Sequence, residues 1–257
     1  MRTVDKKMLI NDLNNFKTMQ IKALELGVPY KRGYLFYGTP GCGKTSAVHA
    51  IARETEMDLY VIDIKDMSVQ DYENALDQVP PHSILLFDDI DTNKITWSRR
   101  EIQDDSSDHD DNVDVIKALA MMSVEKKVDG VSSFRHKTAL DISNLLRSLD
   151  GYENLNGCIV IMNTNHPEKL DNALIREGRI DVKIEFKFCD RDQLRHIAEA
   201  VFDETTADSL LHGVDFDLFE SHEFSVSKVL VGWMLPNSGC WEKARDVLLS
   251  NISKETQ

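Results

Sequence analysis

Long apolar runs are missing from this sequence. No stretch approaches the roughly 20 apolar residues that a membrane-spanning helix needs. The opening Met1-Arg2-Thr3-Val4-Asp5 carries no apolar leader, so neither a transmembrane segment nor a signal peptide is expected. Cysteine is scarce. Cys42, Cys158, Cys189 and Cys240 form no CxxC pair, which excludes a dense disulfide framework and points to reduced thiols in the cytoplasm or another reducing compartment. Positive charge is in short supply too: 30 Lys and Arg face 44 Asp and Glu, for a net charge of −14. A chain this acidic does not hold a phosphate backbone by bulk charge. The eight histidines show no ligand spacing with Cys or Asp, and no Ser-His-Asp or Cys-His constellation can be drawn from spacing.

What is present is enough for a core. Hydrophobic residues make up 42% of 257, a length that suits one α/β domain with a smaller lobe. The acidity is uneven. Residues 101–114 hold seven acids (Glu101, Asp104, Asp105, Asp108, Asp110, Asp111, Asp114) and no Lys or Arg, so one short stretch carries half the net charge. Its composition predicts a mobile run.

Residues 1–30 read as a lead-in, with apolar Met8, Leu9, Leu13, Phe16, Met19, Ile21, Leu24 and Leu26 predicting one helix over 5–27, ended by Gly27 and Pro29. Tyr34–Tyr37, Leu59–Ile64, Ile84–Phe87, Cys158–Met162 and Ile184–Phe188 are short apolar runs that predict strands. Helical stretches lie between them, one opened by Ser68 with Asp71 and closed by Pro80-Pro81. The alternation predicts a parallel sheet covered by helices on both faces over 31–189. Residues 92–137 interrupt it as an insert, with the acidic run, a helix candidate over Val113–Val124 and a possible turn at Asp129-Gly130. From 190 to 257 the pattern is all-helical, a small lid lobe.

Gly38-Thr39-Pro40-Gly41-Cys42-Gly43-Lys44-Thr45, followed by Ser46, matches G-x-x-x-x-G-K-[ST] with a strand before it and a helix after. Such a loop turns backbone N–H groups onto phosphate oxygens and adds the partial positive charge of a helix N-terminus. Lys44 would reach the β- and γ-phosphates of ATP, and the Thr45 hydroxyl would ligate Mg²⁺. The run Ile84-Leu85-Leu86-Phe87 ends in Asp88-Asp89. A buried strand delivers its last acids to the carboxyl edge of the sheet, where the phosphate loop also sits. Asp88 would hold Mg²⁺ through water and Asp89 would polarise the attacking water. A solvated acidic turn continuing into Asp91 is the bland alternative.

Asn163-Thr164-Asn165-His166-Pro167 and Leu170 through Asp181, with Arg176-Glu177-Gly178-Arg179, resemble the second region of homology of AAA ATPases. The resemblance implies that Asn165 is the sensor orienting the attacking water. It also implies that Arg176 and Arg179 are arginine fingers reaching a neighbouring subunit's site. Tyr30 to Tyr37, Cys42 within the loop, Asn144 to Gly151, Thr164-Asn165-His166, and Phe224 to Leu235 are similar to the Bcs branch, the group of a mitochondrial chaperone that moves a folded iron–sulfur protein across a membrane. The likeness covers residues 5–237 apart from 92–137. That mitochondrial member carries a membrane span and a substrate domain before its ATPase. This chain starts at the ATPase, so that cargo is not carried over. Most AAA proteins have Glu where Asp89 stands; the Bcs branch has Asp.

The resemblance implies an ATP hydrolase working in a ring of six or seven copies, coupling hydrolysis to remodelling or chaperoning a protein client. Substrate-threading relatives place an aromatic residue on the loop after the second strand. Here that loop is Lys65-Asp66-Met67-Ser68, which argues against threading; Met67 would grip weakly or pack locally. Trp97 is expected in the core rather than in a pore, Lys228 as a solvated lysine, and His166 as an orienter of Asn165. A clamp-loader-like or initiator-like nucleic-acid remodeller is a rival, weighed against by net charge and the lack of a basic-aromatic patch. A nucleotide-switched assembly scaffold is another, though a scaffold needs no arginine finger.

Overall fold

The structure is a computed structural model and describes residues 3–28, 30–65, 67–92, 96–97, 140–150 and 155–254. The acidic run, the Val113–Val124 helix candidate and the Asp129-Gly130 turn lie outside the described residues.

Five strands form one parallel sheet. They are β1 (Arg32–Gly38), β2 (Leu59–Val61), β3 (Ile84–Phe87), β4 (Ile159–Thr164) and β5 (Val182–Phe186), in the order β2-β3-β4-β1-β5. Every residue of β3 and β4 is buried, as expected for central parallel strands covered on both faces. Alternate residues feed two cores. Leu35, Leu85, Phe87, Val160 and Met162 join one face. Tyr34, Phe36, Ile84, Leu86, Ile159 and Ile161 join the other. Helices α4 (Val69–Asp77) and α5 (Ile142–Asp150) cover the first face with Tyr72, Leu76, Leu145 and Leu149. Helices α1 (Thr3–Thr18) and α3 (Lys44–Thr55) cover the second with Leu9, Leu13, Phe16, Val48 and Ile51. Ser68 caps α4 by accepting the Asp71 N–H, the start expected from the sequence.

The lead-in is not one helix. It breaks at Met19, and a second helix, α2, runs Gln20–Leu26. Leu9, Leu13 and Phe16 recur at helical spacing and are buried, whereas Ile21, Leu24 and Leu26 are 71–82% exposed. The apolar period continues past Thr18, but the sheet beneath it does not. Arg32 fixes α1 to β1 through a two-pronged bond to Asp12, at 3.0 and 2.6 Å. Four of the five strands also differ from the expected ranges: β1 extends to Arg32 and Gly38, and β2 stops at Val61 rather than Ile64. β4 runs on through Asn163 and Thr164, and β5 begins at Val182, because ladder hydrogen bonds, not side-chain polarity, set where a strand stops.

After Cys189 the chain packs on itself. Helices α6 (Arg191–Val201), α7 (Glu204–Leu211), α8 (Phe216–Ser221), a π-helical segment Lys228–Met234 and α9 (Trp241–Lys254) share a core of Leu194, Ala198, Leu210, Phe219, Trp233 and Leu248. Asp190 opens α6 with a capping box to Gln193.

Gly33 ties β1 to the turn that precedes β5. Its N–H donates to Asp181 Oδ2 at 2.8 Å, and a Cβ placed there would lie 1.8 Å from the Arg179 carbonyl oxygen. Gly33→Ala is expected to cost about 2 kcal/mol or more, on the order of 5 °C in Tm. Thermal unfolding followed by circular dichroism measures it, and an unchanged Tm would show that the turn yields freely.

Candidate nucleotide site

The phosphate loop begins where β1 ends. Gly38, Gly41 and Gly43 all have positive φ, at 133°, 75° and 94°, a backbone that side chains resist. The turn aims α3 so that Lys44 is its first residue. Lys44 is 7% exposed, and burial pulls its ammonium below the ordinary lysine value. Its three donors are all used: Nζ reaches the Gly38 carbonyl at 2.7 Å, the Thr39 carbonyl at 3.1 Å and Asn165 Oδ1 at 2.6 Å. Cys42 is buried behind the loop, with Sγ 3.3 Å from Thr39 Oγ1.

Strand order brings the other groups here. β4 lies between β3 and β1, so residues at its carboxyl end stand between the acids of one neighbour and the loop of the other. Asp88 is tied on both oxygens. Oδ2 accepts from Thr45 Oγ1 at 3.2 Å, and Oδ1 accepts from Asn163 Nδ2 at 2.9 Å. Asp89 sits just beyond the strand with φ 47°, a left-handed conformation uncommon outside glycine. Its Oδ1 accepts from Asn165 Nδ2 at 3.4 Å. Burial first, then the charges of Asp88 and Asp91, push the Asp89 carboxyl up; Lys44 and Asn165 pull it back. Asn165 therefore bridges Lys44 and Asp89.

These residues line a cleft of about 390 Å³. Its walls are Pro40, Gly41, Gly43 to Ser46, Asp89 and Asn165 on the sheet side, with Val226, Ser227, Leu230 and Val231 from the helical side. The Ser227 N–H donates to the Gly41 carbonyl at 2.9 Å, joining the two. Thr45 and Asp88 together offer the oxygen donors a hard divalent cation takes. Beside them Asn163 Oδ1 is buried with no partner among the described residues, a place that water on such a cation would satisfy.

The two arginines sit on the turn between Leu174 and Ile180 and are not among the residues that line the cleft. Arg179 is pinned to its own chain: Nε donates to Asp150 Oδ1 at 2.7 Å, with further bonds to Asp150 Oδ2 and the Ala173 carbonyl. Only 15% of its side chain is exposed. Hydrogen bonding to Arg179 holds the Asp150 carboxyl below its usual value. Arg176 is exposed and enters no ion pair found among the described residues.

Residues 34–188 match the family described as "ATPase family associated with various cellular activities (AAA)". The chain belongs to the AAA family. Within it the likeness is to the Bcs type. The chain is 33% identical to "Probable mitochondrial chaperone BCS1-A" of Dictyostelium discoideum over 93% of its own length. It is 32% identical to "Probable mitochondrial chaperone bcs1" of Schizosaccharomyces pombe over 75%, and 30% identical to "Mitochondrial chaperone BCS1" of Homo sapiens over 76%. It spans about half of these relatives or less, 51%, 36% and 40% of their lengths.

Against this AAA frame, several sequence-based expectations find their places. Met67 packs against the sheet core. Trp97, expected in the core, is instead half-buried beside it, its indole N–H donating to the Asp91 carbonyl at 2.7 Å and Lys169 lying over its ring. Lys228 is exposed but stands over the Phe224 and Trp233 rings, at 4.6 and 5.8 Å from their centroids. The His166 ring pairs with Glu168 at 2.9 Å instead of with Asn165. Sequence reasoning missed Asn163, Asp91 and Asp150. The first two did leave a signal, a polar residue inside an apolar strand and a third acid after two.

Proposed function

We propose that this AAA chain is an ATP hydrolase that works in a ring of six or seven copies and couples turnover to remodelling or chaperoning a protein client. The observation that carries the reading is the Lys44–Asn165–Asp89 chain of contacts beside the Thr45–Asp88 pair. Backbone N–H groups of Gly41 to Thr45 hold the phosphates, and Lys44 takes the β- and γ-oxygens. All three Lys44 donors are already engaged, so ATP binding exchanges at least one of them. Thr45 and Asp88 are the residues that would hold Mg²⁺, which would supply positive charge beside the phosphates. Asp89 draws a proton from the attacking water while Asn165 orients it. Arg176 and Arg179 serve the next subunit's nucleotide. Residues 31–189 form the nucleotide-binding unit, and 190–257 the lid that meets it at Gly41.

A protein client fits the relatives' names as chaperones and the net charge of −14, which disfavours nucleic acid. Four free cysteines suit a reducing compartment. Among the described residues no helix is long and apolar enough to cross a membrane.

Lys44→Ala is expected to weaken ATP binding at least about a hundredfold, since charge-assisted contacts to two phosphates are among the strongest in such a site. Calorimetric titration with ATP tests it. Unchanged affinity would remove the phosphate-loop assignment and the hydrolase reading with it.

A further inference from the structure

The segment that carries Asn165 is anchored by a residue that is not among those lining the cleft. β4 ends at Thr164, and the next residues have no strand ladder to hold them. They are held by Asp91, in the short 3₁₀ turn Ile90–Thr92 that follows the two acids of β3. One oxygen of Asp91, Oδ1, accepts from Thr164 Oγ1 at 2.7 Å and from the Asn165 backbone N–H at 3.0 Å. The same Thr164 hydroxyl accepts from the His166 N–H at 3.0 Å. Three consecutive residues are thus fixed, directly or through one hydroxyl, by one carboxylate. Asp91 is 6% exposed and Thr164 fully buried, so water competes little for these bonds.

Asp91 is itself held from behind. Its carbonyl takes the Trp97 indole N–H at 2.7 Å, and the Thr96 hydroxyl donates to the Ile90 carbonyl. The Thr96 carbonyl accepts from the Asp171 N–H at 2.8 Å, and Trp97 bridges to Leu170. The pair 96–97 therefore stitches the turn after the catalytic acids to the segment that leads to Arg176 and Arg179.

We infer that Asp91 is a positioning residue for ATP hydrolysis: by fixing the 164–166 backbone it sets the Asn165 carboxamide between Lys44 and Asp89. The inference rests on the hydrolase reading above. Its working part is hydrogen-bond acceptance, not charge, because both bonds end on a single oxygen that an amide would also supply.

The test uses the full chain and compares wild type with Asp91→Ala, Asp91→Asn, Thr164→Val and the double variant Asp91→Ala/Thr164→Val. Steady-state ATPase kinetics, ATP titration and amide exchange of the peptide spanning 163–167 are measured on each. Misplacing a catalytic group by about 1 Å costs on the order of 100-fold. Asp91→Ala should accordingly lower kcat about 30- to 100-fold, leave the Kd for ATP within about threefold, and speed exchange at 163–167. Asp91→Asn should recover kcat to within about fivefold of wild type. Thr164→Val should lose about tenfold, and the double variant should be no more than about twofold worse than Asp91→Ala, since both changes break one network. Thr164→Val and Asp91→Asn carry the test if Asp91→Ala fails to fold. A kcat within about twofold of wild type in Asp91→Ala or Thr164→Val overturns the inference, as does an Asp91→Asn no more active than Asp91→Ala. A wild type that binds ATP without turning it over removes the hydrolase reading, and this role falls with it. A wild type that turns over while the variants match it removes only the role of Asp91.

Discussion

Asp89→Asn is expected to bind ATP as the wild type does and to hydrolyse it at least about a hundred times more slowly, the loss associated with removing a general base. The two acids of the pair are adjacent in sequence, yet the structure separates their surroundings. Asp88 has one oxygen on Thr45, its partner in the proposed cation site, and the other on Asn163, so both oxygens are held in place beside that site. Asp89 lines the cleft, and among the described residues its carboxylate has one side-chain hydrogen-bond partner, the Asn165 amide at 3.4 Å, which leaves lone pairs for water. Asparagine at 89 keeps the shape and an acceptor oxygen but cannot take a proton. Calorimetric titration and single-turnover hydrolysis with excess protein separate binding from chemistry. Full turnover in Asp89→Asn alongside loss in Asp88→Asn would reverse the two roles. Asp89→Glu is the companion: a carboxylate one methylene longer still faces the cleft and should retain activity.

The sheet was largely legible because its signal is local. Four- to six-residue apolar runs between helical periods reveal parallel strands, and β3 falls on the predicted residues. The lead-in helix was over-extended for a physical reason. Periodicity reports which side chains could form a stripe, and Ile21 and Leu24 keep the period without a surface to pack on. Ends of strands were displaced because polar Asn163 and Thr164 look like loop residues while their backbones still pair with β1.

The site was legible in proportion to its contiguity. The phosphate loop is one unbroken motif, and its role can be argued from neighbours in sequence. What Asn163 and Asp91 do depends on β4 standing between β3 and β1, and strand order leaves no mark on a single sequence. Arg179 shows the same limit from the other side. Its carboxylate partner lies 29 residues upstream, on a helix whose packing brings it beneath the turn. Nothing in the spacing distinguishes Arg179, which is pinned, from Arg176, which is exposed.

That difference sharpens what the two arginines should do. Arg176→Ala is expected to bind ATP normally, to keep the wild-type Tm, and to lose hydrolysis about a thousandfold or more, the range in which arginine fingers act. Arg179→Ala is expected to lose hydrolysis too, but with a lowered Tm, because removing it strands Asp150 and frees the Ala173 carbonyl. Neither arginine is among the residues that line the cleft, so each is expected to act on another copy's nucleotide. Mixing tests this directly. An Arg176→Ala subunit keeps an intact cleft, and an Asp89→Asn subunit keeps intact arginines. In a mixed ring the second supplies the finger that the first lacks, so two inactive proteins should together recover part of the activity. The specific rate of the wild type should also rise with total concentration as rings assemble. No recovery on mixing, with a specific rate that is flat on dilution, would place the arginines in cis or out of the reaction, and the ring would fall while the single-subunit nucleotide site stood.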